Sequence, residues 1–182
     1  MKEIRLHGRG GQGGKMAADI LSTANILIGK YGTSFPLFTA ERRGAPMVSF
    51  ARLDDVPIRE KDKIYNPDCI IVLDPNQVRL ETVYSGVKPG AILVANSSSI
   101  ISEGLHPNID LIGVVNATKI AIEEIGVPAF NTCMLGAFAA TTKWIGLNAI
   151  LSALEGYFVG KALNGNKRSA ERGYQEVKLI RR

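Results

Sequence analysis

The hydrophobic positions of this chain change their spacing several times, and each change predicts a new element of structure. Residues 3–7 alternate between polar and apolar, which predicts a short strand. A glycine-rich stretch follows at once. From residue 15 to residue 28 the apolar positions recur every three or four residues, as they do on one face of a helix. Gly29 and Gly32 bracket the end of that helix.

The rest of the chain continues as strands and helices. Apolar runs and alternating segments predict strands at 46–53, 56–59, 70–73, 91–95 and 110–115. Helical spacing predicts helices at 76–84, 117–125, 131–142, 148–159 and 166–176.

This order of elements predicts a fold class. Strands alternate with helices until the last third, which is helical, and the core strands lack polar alternation. That combination favours a mainly parallel sheet covered on both faces. We therefore predict a three-layer α/β fold with a helical C-terminal third, built as one domain over residues 1–182.

Composition narrows the cellular setting. The longest apolar runs hold four or five residues, far short of the roughly 20 that a membrane-spanning helix needs. Charged residues at positions 3, 5 and 19 interrupt any secretory signal, so we expect a cytoplasmic protein without membrane contact. The net charge of +5 comes without interleaved aromatic residues or a basic helix, so nucleic acid is not an expected partner.

The two cysteines bear on redox chemistry. Cys69 opens an apolar run and Cys133 lies in another, so both are predicted to be buried. A [4Fe–4S] cluster takes four thiolates, and two cysteines cannot supply them. We expect no metal site in this chain, and any redox cofactor must belong to another chain.

The glycine-rich stretch is the first candidate for chemistry. Gly8, Gly10 and Gly13 have the G-x-G-x-x-G spacing between a strand and a helix, where free amides at a helix start bind anions. The alternative is that these glycines only allow close packing. An NAD site also needs an acidic residue at the end of the next strand, and residues 32–36 contain none. Arg42 and Arg43 are suited to binding the 2′-phosphate of NADP, so an NADP site stays open.

Several segments together resemble a known family. In order along the chain, they resemble the γ subunit of 2-oxoacid:ferredoxin oxidoreductases, including pyruvate, ketoisovalerate and 2-oxoglutarate ferredoxin oxidoreductases. The matching segments are 7–13, 40–46, 74–75, 131–137 and 166–174. Two departures are Gly14-Lys15-Met16, where smaller apolar residues are expected, and Cys133, where Ala or Val is common; neither removes a phosphate-binding group.

The resemblance implies a division of labour between chains. The complete enzymes decarboxylate a 2-oxoacid on thiamine diphosphate with magnesium, pass electrons through [4Fe–4S] clusters to ferredoxin, and release an acyl-CoA. These cofactors lie in the α, β and δ partner subunits. The γ subunit has a Rossmann-like three-layer fold and is associated with coenzyme A. We therefore expect no catalytic residue here, and an isolated chain that is inactive and able to self-associate.

The residues expected to bind coenzyme A follow from the strand ends. Ligands of doubly wound sheets bind beyond the carboxyl ends of the strands. The predicted strands end at His7-Gly8, Asp74, Asn96 and Asn116. The candidate cofactor-binding residues are Gly8, Arg9, Gly10, Gly11, Gln12, Gly13, Arg42, Arg43, Asp74 and Asn96.

Each of these side chains also has a structural interpretation. Asp74 before Pro75 is suited to capping a helix, and Asn96 to forming a turn. Arg42 and Arg43 are equally suited to an acidic patch on a partner, and His7 to a hydrogen bond at the strand end. Two other functions stay open, an independent NAD(P)-dependent oxidoreductase and a purely structural subunit. The 2-oxoacid and the direction of the reaction are not encoded in these residues.

Overall fold

The centre of the fold is one mixed β-sheet. The computed structural model describes residues 1–37, 44–101 and 105–182. Within these ranges seven strands form the sheet in the order β2-β3-β1-β4-β5-β6-β7. The strands are β1 (Lys2–Arg9), β2 (Tyr31–Pro36), β3 (Pro46–Asp54), β4 (Cys69–Val72), β5 (Ala91–Asn96), β6 (Ile109–Val115) and β7 (Lys178–Arg181).

The middle of the sheet is parallel, as predicted. β1 pairs with β4, β4 with β5 and β5 with β6, all in parallel. The outer strands are antiparallel: β3 pairs with β1, β2 with β3, and β7 with β6. The four parallel strands therefore end at the same edge of the sheet, which we call the C-terminal edge.

All five α-helices of the described chain pack on one face of the sheet. They are α1 (Gly14–Leu27), α2 (Ala117–Ile125), α3 (Asn131–Thr142), α4 (Leu147–Leu154) and α5 (Gly160–Glu176). Sheet residues such as Leu6, Ile71 and Val94 form one apolar core with residues from every one of these helices. The opposite face is covered by two short 3-10 helices, Pro75–Gln77 and Glu81–Tyr84, and by connecting segments. The α/β class is confirmed, with three layers of unequal thickness.

Helix α3 is the most enclosed element. All of its residues are buried, so it has no polar face. Its neighbour α5 approaches so closely that a Cβ on Gly136 would overlap the carbonyl oxygen of Ala170. Glycine is needed at this position because the two backbones touch. The helical C-terminal third thus surrounds α3 rather than forming a separate unit.

The structure differs from the predicted elements in a few places. Residues 56–59 are not a strand, and residues 76–84 form 3-10 turns instead of one helix. Helix α5 begins at Gly160, six residues earlier than the spacing indicated, because its exposed, glycine-containing first turns show no apolar period. Strands β2 and β7 escaped prediction because edge strands bury too little surface to be marked by an apolar run.

None of the helices in the described ranges combines the length and the apolar character that crossing a bilayer requires.

Candidate functional site

The C-terminal edge brings the ends of the parallel strands into contact. The amide of Leu73, just after β4, donates to the carbonyl of His7 in β1 at 2.8 Å. The side chain of Asn96, the last residue of β5, donates to the carbonyl of Leu73 at 3.0 Å. It also donates to Thr118, in the first turn of α2, at 2.9 Å. The predicted strand-end residues His7, Asp74 and Asn96 therefore lie side by side.

Residues Gly8–Gly13, which we call the glycine loop, connect β1 to α1. The loop is held by its own hydrogen bonds: the side chain of Gln12 accepts from the amide of Arg9 at 2.7 Å. It is also tied to a neighbouring segment, since the amide of Gly10 donates to the carbonyl of Ala45 at 2.9 Å. Gly11 and Gly13 have φ angles of 94° and 76°, which side chains other than glycine rarely adopt.

The start of α1 is uncapped. Gly13 is the N-cap residue and offers no side chain, and the first turn contains no acidic residue. Among the described residues, no acceptor lies within hydrogen-bonding distance of the amides of Gly11, Gly13 or Gly14. Uncapped amides and the positive end of the helix dipole together form an anion-binding position. This geometry agrees with the chemistry predicted for the loop.

Arg9 and Asp74 form an ion pair beside the loop. The guanidinium of Arg9 donates through Nε to one oxygen of Asp74, and it reaches the carbonyl of Gly44 at 3.3 Å. The other oxygen of Asp74 accepts from the amide of Asn76 at 3.0 Å and so caps the first 3-10 helix. Asp74 is 3% exposed, whereas the side chain of Arg9 is 43% exposed. Arg9 thus remains accessible to a ligand, while both oxygens of Asp74 are engaged.

His7 is buried behind the loop and is held in its neutral form. Its Nε2 accepts from Nε of Arg5 at 3.0 Å. Burial first, and the charge of Arg5 second, lower the pKa of His7 to about 3. A neutral imidazole that already accepts a hydrogen bond is not poised for acid–base work near neutral pH.

The remaining candidate side chains are placed as follows. Asn96 is 1% exposed, and its oxygen accepts from the amide of Thr118 at 3.3 Å, so its carboxamide is fully used inside the protein. Asn116 caps α2 by accepting from the amide of Lys119. Arg42 and Arg43 lie outside the described residues; in sequence they directly precede Gly44, whose amide donates to the carbonyl of Gly10 at 3.2 Å.

An apolar groove opens beside the glycine loop, on the helical face of the sheet. Its volume is about 350 Å³. We call it the apolar groove and define it by its lining residues Gly11, Gln12, Gly13, Met16, Ile125, Pro128, Ala129, Asn131, Phe158, Ala162 and Asn166. Sequence reasoning missed it because its walls come from α1, α2, α3 and α5 and from the segments that precede α3 and α5. Asn131 lay within a matching segment, but nothing in its spacing marked it as a lining residue.

Both cysteines are buried and unpaired, as predicted. Burial raises the pKa of the Cys133 thiol to about 12 and moves that of Cys69 well above its ordinary value. Neither is a thiolate at neutral pH, so neither is prepared to ligate a metal or attack a substrate.

Comparison with known proteins decides the family. Residues 3–176 match the family described as pyruvate ferredoxin/flavodoxin oxidoreductase. The chain belongs to this family. As a family member it is a γ-type subunit of an oxidoreductase complex, and the resemblance found in the sequence is confirmed.

Two relatives show how evenly the similarity extends. The chain is 41% identical over 182 residues to pyruvate synthase subunit PorC of Methanothermobacter thermautotrophicus, covering 100% of this chain and 98% of that one. It is 44% identical over 179 residues to the γ subunit of NADH-dependent phenylglyoxylate dehydrogenase of Aromatoleum evansii, covering 97% and 94%.

Solved structures share the fold of this family member. The pyruvate oxidoreductase subunit PORC of Thermotoga maritima superposes with a TM-score of 0.86 at 36% identity, covering 98% of this chain and 97% of that one. A 2-oxoglutarate:ferredoxin oxidoreductase of Magnetococcus marinus, solved with 2-oxoglutarate, coenzyme A and succinyl-CoA bound, has a TM-score of 0.78 at 18% identity. The match covers 96% of this chain but 30% of that one, and it shows the fold alone.

Proposed function

We propose that this chain is the γ subunit of a thiamine diphosphate-dependent 2-oxoacid:ferredoxin oxidoreductase, to which it contributes coenzyme A binding and subunit assembly. The complex would oxidatively decarboxylate a 2-oxoacid to an acyl-CoA and reduce ferredoxin. Thiamine diphosphate, magnesium and [4Fe–4S] clusters would be held by the α, β and δ subunits. The sequence has only two cysteines, and a [4Fe–4S] cluster takes four thiolates, which supports that assignment.

One observation carries the coenzyme A assignment. The uncapped amides at the start of α1 lie next to the apolar groove, so an anion-binding position and an apolar binding surface are adjacent. Coenzyme A combines phosphates with a long, largely aliphatic arm and matches that combination. The Magnetococcus marinus enzyme, which has the same fold over this region, binds coenzyme A as a complete enzyme.

The proposed phosphate contacts are the amides of Gly11 and Gly13 and the accessible guanidinium of Arg9. Gly8 and Gly10 would let the ligand approach the backbone closely, since Gly8 is paired with Met47 in the sheet and the amide of Gly10 donates to the carbonyl of Ala45. Gln12 supports the phosphate contacts by closing the loop through the amide of Arg9. Asp74 would act through Arg9, since a carboxylate itself repels phosphate. Asn96 would keep the end of β4 and the start of α2 in place, because its carboxamide joins the two.

Arg42 or Arg43 would add a bidentate guanidinium contact, which suits phosphate geometry. The assignments of Arg42 and Arg43 rest on the sequence alone, because both residues lie outside the described ranges.

An NAD(P) site is the competing proposal, and the glycine spacing favours it. In the parallel neighbour of β1, the acidic residue at the strand end is Asp74. A ribose hydroxyl would have to displace Arg9 or Asn76, because they occupy both carboxylate oxygens. Coenzyme A demands no such displacement at the amides of Gly11 and Gly13, which have no acceptor among the described residues, and we prefer it for that reason.

Purification of the complex through a tag on this chain, from its native host, tests the proposal. We expect α, β and δ chains to copurify, with coenzyme A-dependent oxidation of a 2-oxoacid coupled to ferredoxin reduction. A chain that purifies alone and turns over substrate unaided would disprove the proposal, and so would retention of a nicotinamide dinucleotide in place of coenzyme A binding.

The contribution of Arg43 is tested in the same complex. Arg43→Ala should lower coenzyme A-dependent turnover about tenfold, the loss expected for roughly 1.4 kcal/mol of charged hydrogen bonding. Coenzyme A-independent decarboxylation should be unchanged. Arg59→Ala is the matched control, since Arg59 is exposed and follows β3 at the opposite edge of the sheet. Equal loss of both activities in Arg43→Ala would contradict the assignment.

A further inference from the structure

We infer that the apolar groove holds the amide-bearing pantetheine arm of the ligand and that the carboxamide of Asn131 is its polar anchor. The inference rests on the proposed function, because it takes coenzyme A as the ligand of this edge. It adds a binding residue that the glycine motif does not contain, and it separates the site into a phosphate part and an arm part.

The first observation is a carboxamide that has no partner among the described residues, on a side chain that is almost entirely buried. Asn131 is the first residue of α3 and is 5% exposed, yet its side chain has no hydrogen bond to any described residue. It lines the groove directly under the glycine loop: a Cβ on Gly13 would lie 2.6 Å from its Nδ2. Buried polar side chains without partners are rare in proteins, and a position facing a groove is where a ligand supplies the missing bonds.

The asparagine across the groove shows the contrast. Asn166 is also buried, but its Nδ2 donates to the carbonyl of Ala162 at 2.9 Å and its oxygen accepts from Thr132 at 3.0 Å. The carboxamide of Asn166 is therefore used in hydrogen bonds that hold the helices together. Asn131 keeps both a donor and an acceptor for something that enters the groove.

The second observation is the position of two helix starts. The first amide of α3 with a carbonyl acceptor is that of Met134, which donates to Phe130 at 3.1 Å. Within the described residues, the amides of Asn131, Thr132 and Cys133 have no carbonyl acceptor. The groove thus lies between the uncapped start of α1 and the uncapped start of α3.

The rest of the lining decides between ligand groups. Met16, Ile125, Pro128 and Phe158 are apolar, and no lysine or arginine is among the residues that line the groove. A phosphate placed there would lose its water without gaining a cation, which is costly. An arm of methylene and methyl groups with two amides would cover the apolar walls and give Asn131 an amide partner. The phosphates then stay at the outer amides of the loop, within reach of Arg9.

The experiment uses the full chain, with ¹³C-labelled methionine methyl groups observed by NMR. Met16 lines the groove and is 37% exposed, whereas Met1 lies at the opposite edge of the sheet, beside Asp54. Two probes separate the parts of the ligand: pantetheine, which has no phosphate, and adenosine 3′,5′-bisphosphate, which has no arm. We expect pantetheine to shift the Met16 resonance saturably and to leave that of Met1 unchanged.

Variants then test the anchor. Asn131→Ala should weaken pantetheine binding about tenfold, which is the loss of one well-placed hydrogen-bonding group, and should leave bisphosphate binding within about twofold. Asn131→Asp, which keeps the shape and replaces the donor by an acceptor, should weaken pantetheine as well and serves if the alanine variant does not fold. Asn148→Ala is the matched control, because Asn148 is exposed in the first turn of α4.

The outcomes separate this inference from the proposed function. Pantetheine that shifts Met16 equally well in the wild type and in Asn131→Ala would overturn the anchor. A Met16 resonance that ignores pantetheine while adenosine 3′,5′-bisphosphate and coenzyme A bind would overturn the groove assignment and leave the coenzyme A function standing. If the assembled complex did not bind coenzyme A, both this inference and the proposed coenzyme A function would be wrong.

Discussion

The strand ends of the C-terminal edge differ in how they use their polar groups. After β5 and β6, Asn96 and Asn116 each turn their side chains onto the backbone at the start of α2, and their hydrogen bonds stay inside the protein. After β1 the chain continues as glycines, no side chain caps α1, and the amides of Gly11 and Gly13 have no acceptor within the described ranges. The same edge therefore has a closed part and an open part.

A ligand is expected where polar groups lack partners within the protein. A buried polar residue at a strand end more often hydrogen-bonds inside the protein than contacts a ligand, because buried polar groups must be paired. Asn96, which was a candidate because of its position in the sequence alone, is such a residue. The open part is marked by donors that have no acceptor in the described part of the chain, at the glycine loop and at Asn131.

The largest effect is expected from filling the open part. Gly13→Ala would place a Cβ 2.6 Å from Nδ2 of Asn131 at a φ of 76°, whereas a Cβ on Gly11, at a φ of 94°, would have no heavy atom within 4 Å. We expect Gly13→Ala to lower the free energy of unfolding by about 3 kcal/mol and Gly11→Ala by about 1 kcal/mol. Alanine is strained at the positive φ of either position, but only the Cβ at position 13 also overlaps a neighbouring side chain. Urea unfolding measures both variants. Equal losses would show that the loop and Asn131 are not in contact.

Removing the side chain of Asn96, in the closed part, should lower the stability of the protein without weakening ligand binding. Asn96→Ala leaves the carbonyl of Leu73 and the amide of Thr118 without their partners. We expect a loss of about 2–3 kcal/mol in the free energy of unfolding, from two buried groups left unpaired. Binding of adenosine 3′,5′-bisphosphate to the folded variant should stay within about threefold of wild type. A variant as stable as wild type, with binding abolished, would make Asn96 a direct ligand contact instead.

The buried side of the loop predicts a pH dependence. The pKa of His7 is about 3 in the folded chain and about 6.5 when unfolded, so between these values the unfolded chain binds the extra proton. Stability contributed by neutral His7 is complete above pH 6.5 and is lost as the pH falls, by about 2 kcal/mol between pH 7 and pH 5.

His7→Gln should remove that part of the slope in urea unfolding at several pH values. An unchanged slope in His7→Gln would mean that the imidazole is not held neutral.

The smallest effect concerns the ion pair between the two parts. In Asp74→Asn the single carboxamide oxygen can still accept from the amide of Asn76, but the amino group that then faces Arg9 cannot accept, so Arg9 loses both this hydrogen bond and the charge attraction. Because Arg9 is 43% exposed and solvent screens the pair, we expect a loss of about 1 kcal/mol in stability. Coenzyme A affinity of the assembled complex should change by less than about threefold. A tenfold fall would mean that the carboxylate of Asp74 positions Arg9 for the ligand.

Much of the fold was predictable because its core follows simple patterns. The buried runs of β4 and β5 and the apolar period of α1 are local signals, and each predicted element was found. Edge strands β2 and β7 are set by pairing with distant strands, and no local period marks them. Residues 76–84 turn as 3-10 helices because Asp74 caps the first turn and the chain then has to cover the sheet.

The site was predictable only where backbone chemistry is encoded by residue type. Glycines between a strand and a helix marked the loop, since open amides require residues without side chains. The placement of Asn131 against Gly13, in a groove that α1, α2, α3 and α5 line together, is a tertiary feature that no local pattern encodes. The ion pair of Arg9 and Asp74 joins residues that are far apart in the chain, and no spacing rule connects them.

The depth of the two cysteines has a consequence for a thiol cargo. Cys133 lies only two residues beyond Asn131, yet both it and Cys69 are 0% exposed, and burial keeps both thiols protonated. Exchange with a disulfide, or capture of an oxidised sulfur, begins from an accessible thiolate. A carrier whose working end is a sulfhydryl can therefore rest against this protein without becoming cross-linked to it, even when its surroundings turn oxidising.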